Sequence, residues 1–181
     1  KSWAPDYLRE RLRTDLSDLP AYAVGYAPGG TGTSLMRHLT EGGASVEELQ
    51  QAGLITTRER DDGTSYHRDV FRDRLVLPIL DPHDPTGQTI AGFQGRRNPI
   101  KTDDDYAGPK YLNTRTTAVF TKGEALYGFA EARDLLAEGA LPVLVEGPMD
   151  ALAITLASSG AAVGIAPKGT ALTVNQVKLL R

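Results

Sequence analysis

The segment LPVLVEG, Leu141 to Gly147, constrains this chain more than any other stretch of its sequence. It is a short, nearly continuous apolar run, the pattern of a parallel strand covered on both faces. A helical stretch from Asp150 to Ser158 follows, then a second apolar strand in AAVGIAP, then the start of another helix over Val174 to Leu180. The order β-α-β-α begins a doubly wound parallel sheet. Two strands do not finish such a sheet, and the last of them is expected to leave an unpaired edge.

Ligands of open α/β sheets bind beyond the carboxyl ends of the strands. Glu146 stands there, directly after Val143, Leu144 and Val145, and Gly147 lets the backbone turn closely behind it. Asp150 falls near the first turn of the next helix, so both carboxylates can face one crevice. Hard oxygen ligands of this kind suit Mg²⁺ or Mn²⁺, ions that neutralise phosphate charge during in-line displacement. The plainer alternative stays open from spacing alone: an Asp in a first helical turn often serves the helix dipole, and a Glu after a strand is often surface.

Upstream the pattern differs. Leu8, Leu12, Leu16 and Leu19 recur at helical spacing up to Pro20, which makes the first third helical and loop-rich. The glycines of AYAVGYAPGGTGTS lack the Gly-Lys-Ser/Thr ending of a phosphate loop, so a turn before a helix over Ser34 to Leu39 is expected. Ser45 to Gln51 reads as a helix closed by Gly53, with Ser45 and Glu48 spaced as a capping box. RLVLPIL and QTIAGFQGR flank the turn-forming DPHDPTG and predict an antiparallel hairpin, with Pro78 at an edge or bulge. Asn98 to Thr117 reads as loop, with Asp103 to Asp105 solvated, and helical periodicity returns from Glu124 to Glu138 before a Gly139 cap.

The net charge of −3 and a pI near 5.6 argue against a broadly basic coat, so any nucleic-acid contact must come from a local cluster of cations. Arg74, Arg96, Arg97, Lys110 and Lys122 all fall at strand ends or in loops of the middle segment. Antiparallel pairing brings Arg74 and Arg96 to the same end of the hairpin, where guanidinium groups can hold phosphates. Each alone reads more readily as a surface charge, and only the cluster points to binding. With no cysteine the chain has neither disulfides nor thiolate zinc ligands, and His38, His67 and His83 lack ligand spacing. No apolar run approaches the roughly 20 residues of a membrane span, so a cytoplasmic location is the expectation.

The ordered motifs FRDRLVLPILD, IAGFQGRR, PKYLNT, FTKGEALYGFAEA, VLVEGPMDALA and APKGTALTVNQVKLL resemble the DnaG-type bacterial primase catalytic core, from about Asp6 to the end. The resemblance implies an α+β N-terminal subdomain with an antiparallel sheet over 1–122, then the first half of a Toprim fold over 123–181. Glu146 and Asp150 then match the first acidic motif, with Glu146 catalytic and both on Mg²⁺ or Mn²⁺. Arg96, Lys110, Asn113 and Lys122 match the basic groove and nucleotide site, with Arg74 beside them. The implied activity is DNA-templated synthesis of RNA primers, with single-stranded DNA and NTPs as partners and a replicative helicase reached through other domains.

Three departures stand out. Gln94 replaces a glycine of the GFGGR element, Lys168 stands where a small or apolar residue is usual, and the second acidic motif, Asp-x-Asp, is not in this sequence. The isolated chain is therefore expected to be inactive. A second reading from these departures is a primase-like module of a plasmid or phage mobilisation protein, binding single-stranded DNA with altered or no catalysis. Tyr111 is a candidate for stacking on bases, whereas Tyr127 is expected to be buried.

Overall fold

The computed structural model describes residues 2–13, 21–101, 108–169 and 171–180. The chain opens with helix α1 (Ala4–Leu12), and Leu16, Leu19, Pro20 and the acidic run Asp103 to Asp105 lie outside the described residues. Trp3, just before α1, donates from Nε1 to Asp73 at 2.8 Å. Asp73 also accepts from the Tyr26 hydroxyl at 2.7 Å, so one carboxylate ties α1 and strand β1 (Gly25–Ala27) to the start of the hairpin.

Helices α2 (Ser34–Glu41) and α3 (Val46–Gln51) form where the sequence places them, and both bonds of the Ser45–Glu48 capping box are present. Helix α2 has no side-chain cap of its own at Thr33. Asp69 supplies one from a neighbouring strand, accepting from the amides of Leu35 at 2.9 Å and Met36 at 3.0 Å. That strand belongs to a hairpin, β2 (Ile55–Glu59) with β3 (Ser65–Asp69), which the helical and loop-rich expectation missed. Its tip is an Asp-Gly turn, in which Asp62 accepts from the Thr64 amide at 2.9 Å and Gly63 takes a positive φ of 80°.

The expected hairpin is β4 (Arg74–Leu80) with β5 (Ile90–Arg97), at the centre of a four-stranded sheet ordered β1-β4-β5-β6. Strand β6 (Tyr111–Asn113) lies within the stretch read as loop. Strand β1 pairs only with Arg74 to Val76, so Pro78 needs no donor on that side, and the β4–β5 register shifts just after it. Leu75, Leu77 and Ile79 alternate onto the buried face and are fully covered.

The helix expected over Glu124 to Glu138 does not form as such. Leu126 and Tyr127 instead make a short strand, β7 (Leu126–Tyr127), and only α4 (Arg133–Ala137) is helical. The cause is tertiary: both side chains are buried to about 1% exposure, and the strand pairs antiparallel with Ala166 and Pro167. Strand β8 (Leu141–Leu144), helix α5 (Pro148–Ala157) and strand β9 (Ala162–Pro167) form the expected parallel β-α-β unit, and α6 (Val174–Leu179) follows.

Two details reverse the expectation for this unit. The sheet order is β7-β9-β8, so the last strand is central and β8 is the edge. Leu141 and Leu144 are accordingly 64% and 50% exposed, because an edge strand with one neighbour is covered far less than a central one. Strand β9 is the buried one, with Val163, Ile165 and Ala166 fully covered. Helix α5 lies so close on β9 that a Cβ at Gly164 would stand 2.4 Å from the Ala151 backbone. One continuous core joins Leu75 and Leu77 of the first sheet to Leu126, Leu152 and Ile165 of the second. Among the described residues no helix is long and apolar enough to cross a membrane.

Candidate functional site

Alternation along β5 decides where the arginines go. Arg96 lies opposite Leu75 on β4 and Tyr111 on β6, so it shares their face, whereas Arg74 lies opposite Arg97 on the other. The two arginines thus reach the same end of the hairpin, as pairing requires, but project to opposite sides of the sheet.

On the first face, the Arg96 guanidinium sits between two rings, its Cζ 5.5 Å from the centroids of both Tyr7 and Tyr111. Its Nη1 donates to the Arg97 carbonyl at 2.7 Å, which fixes its direction. Lys110 places its Nζ 5.7 Å from the Tyr111 centroid. From α1, Arg11 reaches Asp150 of α5 with 3.4 Å between Nη2 and Oδ1. Burial raises the Tyr111 phenol, Tyr7 and Asp150 add to the rise, and Arg96 and Arg11 oppose it, so all these groups act on one ring.

Three expected site residues, Arg96, Lys110 and Asp150, therefore gather around Tyr111. Asn113 lies opposite Gln94 on the same face, and its Oδ1 is buried without a partner. Arg11 and Tyr7 belong to the cluster and were not singled out from the sequence. Only their spacing along α1, one turn apart, hinted that they share a face.

Glu146 is exposed beyond the end of β8, just before Gly147, which caps α5 in an extended conformation. Lys122 is exposed on the turn before β7, where its carbonyl accepts from Gln176 Nε2 at 3.3 Å. Among the described residues no hydrogen bond or ion pair joins Glu146 or Lys122 to the Tyr111 cluster. No group of three or more metal-ligating side chains is found among them either.

The opposite face of the sheet holds a groove that the sequence did not reveal as one site. Arg58 and Arg68 from the β2–β3 hairpin, Arg72 just before β4, Arg74 and Arg97 from the main sheet, Lys101 and Arg115 line it, with Asp73 the acid among them. Arg74 is 3% exposed, and its Nη1 donates to the Gly95 carbonyl at 3.0 Å. Burial, together with Arg97, Arg72 and Arg96 and against the opposing Asp73, lowers its pKa to about 10. Burial also lowers Arg72, again helped by Arg68 and Arg58. Cations crowded to this degree give the groove a positive potential.

The comparisons with known proteins agree with this geometry. The family model described as DNA primase catalytic core, N-terminal domain, matches residues 1–133. A DNA primase of Deinococcus radiodurans is 41% identical over 177 residues, which is 98% of this chain and 28% of that protein. The chain thus spans less than a third of that relative's length. The RNA polymerase domain of Mycobacterium tuberculosis primase DnaG, solved in complex with double-stranded DNA, superposes with a TM-score of 0.79 at 34% identity. That match covers 98% of this chain and 51% of the solved one. A DnaG primase catalytic domain bound to single-stranded DNA superposes with a TM-score of 0.75 at 32% identity, covering 98% of this chain and 50% of that one. With more than half of its length matched by the family model, the chain belongs to the DNA primase catalytic core, N-terminal domain, family.

Proposed function

We propose that this chain is part of a DNA primase that copies single-stranded DNA into RNA primers from NTPs, and that the Tyr111 cluster is its nucleotide-phosphate site. The observation that carries the reading is the convergence of Arg96, Lys110 and Arg11 beside Asp150 at the edge of the parallel sheet. Phosphoryl transfer is catalysed mainly by positioning and charge stabilisation, and a guanidinium held between two tyrosine rings has few other conformations to lose on binding.

The arginine groove on the other face suits the template strand. Its cations track a phosphate backbone without reading sequence. The division at residue 122, with 1–122 as the N-terminal subdomain and 123–181 as the first half of a Toprim fold, belongs to this proposal and draws support from the parallel β8-α5-β9 unit. The mobilisation-module alternative has less support, because the relatives that match are DNA primases. Contact with a replicative helicase and a cytoplasmic location belong to the whole protein.

Glu146 and Asp150 fit a small hard cation held by one or two carboxylates together with water and phosphate, rather than by a full protein cage. Mg²⁺ or Mn²⁺ bound there supplies charge neutralisation at the reacting phosphate. Arg96 and Lys110 hold the triphosphate, and Arg11 holds Asp150 toward it. The test is NTP and oligonucleotide binding by the full-length protein. Arg96→Ala is expected to weaken NTP binding about tenfold or more, as loss of one charge-assisted pair does. Unchanged NTP affinity in that variant would remove the site.

A further inference from the structure

Gln94 and Lys168, the two residues where the resemblance led us to expect departures, are partners. Lys168 Nζ donates to Gln94 Oε1 at 3.0 Å, although the residues are 74 positions apart in sequence. Lys168 is 4% exposed and Gln94 7%, so the contact is sealed from water. It joins the end of β9, in the parallel sheet, to β5 in the antiparallel sheet. Gln94 lies two residues before Arg96 on the same face of β5, and β9 pairs with the strand that leads into Glu146.

We propose that Lys168 is a positioning residue for the nucleotide site, holding the strand that carries Arg96 in register with the sheet edge that carries Glu146. The inference rests on the function proposed above and names a residue outside its binding groups. An apolar side chain at 168 can fill the same volume, but it offers no donor to a buried amide oxygen, which would then be left unsatisfied.

The surroundings make this link sensitive to pH. Described groups facing the ammonium are Gln94 from β5, Tyr127 from β7 with its ring centroid 4.7 Å away, and Glu131 just before α4. Glu131 is half-buried and accepts from the Gly128 amide at 2.9 Å. Tyr22 packs edge-on against Tyr127 and adds a neutral phenol. Burial pushes Lys168 down to about 7, which Glu131 only partly offsets. Burial also pushes Glu131 up to about 7.

These shifts act on stability in opposite senses. From the usual Glu value of 4.5 up to about 7, the folded protein keeps a proton that the unfolded chain releases, so stability falls as pH rises. From about 7 to the usual Lys value of 10.5, the unfolded chain keeps a proton that the folded protein lacks, so stability rises again. The pair therefore costs most near neutrality. A lysine that costs this much in the core, at the junction of two sheets, fits a positioning role better than a packing one.

The test compares full-length wild type, Lys168→Met, Gln94→Leu and the double variant by melting temperature, single-stranded oligonucleotide binding and the KM for NTP in primer synthesis between pH 6 and 9. Lys168→Met is expected to raise the KM for NTP about tenfold, in line with the steep dependence of rate on placement, and to flatten its pH profile. Gln94→Leu should do the same, and the double variant should be no worse than either single one. Template binding in the arginine groove should be unchanged. Variants that only melt at a different temperature, with KM and pH profile as in wild type, would overturn the positioning role. A wild type that binds neither NTP nor template would instead refute the function on which the role rests, whereas NTP binding that is identical in all four proteins refutes this inference alone.

Discussion

Gly164→Ala puts the contact between α5 and β9 to a direct test. The added methyl would stand 2.4 Å from both the Cα and the carbonyl oxygen of Ala151, where ordinary contact begins at 3.4 Å. Backbone cannot swing aside as a side chain does, so α5 must move off the strand by about 1 Å. Overpacking of this kind costs roughly 1–3 kcal/mol, and on a domain of this size that lowers Tm by several degrees. The same displacement shifts Asp150, in the first turn of α5, relative to the groups around Tyr111. A misplacement of about 1 Å can cost on the order of 10²-fold in rate. Calorimetry of the full-length protein, paired with primer synthesis, reads both effects. Gly123→Ala is the control, since its methyl would meet only the Thr173 side chain at an ordinary 3.5 Å. A Gly164→Ala protein with wild-type Tm and activity would refute the close-packing argument.

Other perturbations follow from the same contacts. Thr155 donates to the Ala151 carbonyl and accepts from the Gly164 amide, each at 3.0 Å in the core, so Thr155→Val should cost about 1–3 kcal/mol in denaturant melts by leaving that amide unpaired. Arg58 is exposed in the arginine groove, and Arg58→Ala should reduce the slope of log affinity for single-stranded DNA against log salt by about 0.7 without changing Tm; an unchanged slope would take Arg58 out of the template path. Burial raises the Tyr22 phenol to about 12, so the folded protein keeps a proton that the unfolded chain loses above the usual value of 10. Stability should then fall as pH rises from 10 toward 12, and ultraviolet titration should show Tyr22 ionising only with unfolding.

Local signals carried much of this fold in the sequence. The Ser45–Glu48 box, the hairpin around DPHDPTG and the alternation of LPVLVEG into AAVGIAP each depend on residues close together in the chain, and each formed where expected. Failures came where distant partners decide. Leu126 and Tyr127 lie in a helical pattern, yet pairing with Ala166 and Pro167, far along the chain, makes them a strand. Strand β8 reads as doubly covered because Val143, Leu144 and Val145 are apolar, but apolar character does not say how much of a sheet surrounds a strand.

The site divides along the same line. Glu146 and Asp150 stood out in the sequence as candidates because a strand-turn-helix places them within one local unit, and their metal role remains part of the proposal. Arg96, Lys110 and Asn113 were recognisable by family resemblance, but which face they share depends on the register of β4, β5 and β6. That register also sent Arg74 to the opposite groove. Arg11 became visible only when α1 was seen to pack against α5. The Gln94–Lys168 contact looked in the sequence like two unrelated departures, because no local rule links residues on different sheets.

Primer synthesis on a single-stranded DNA template by the full-length protein, wild type against Glu146→Gln, tests the central claim most directly. The account predicts labelled oligoribonucleotides that require Mg²⁺ or Mn²⁺ in wild type and fall by orders of magnitude in Glu146→Gln, with Tm and template binding unchanged. Equal product from both proteins would contradict it.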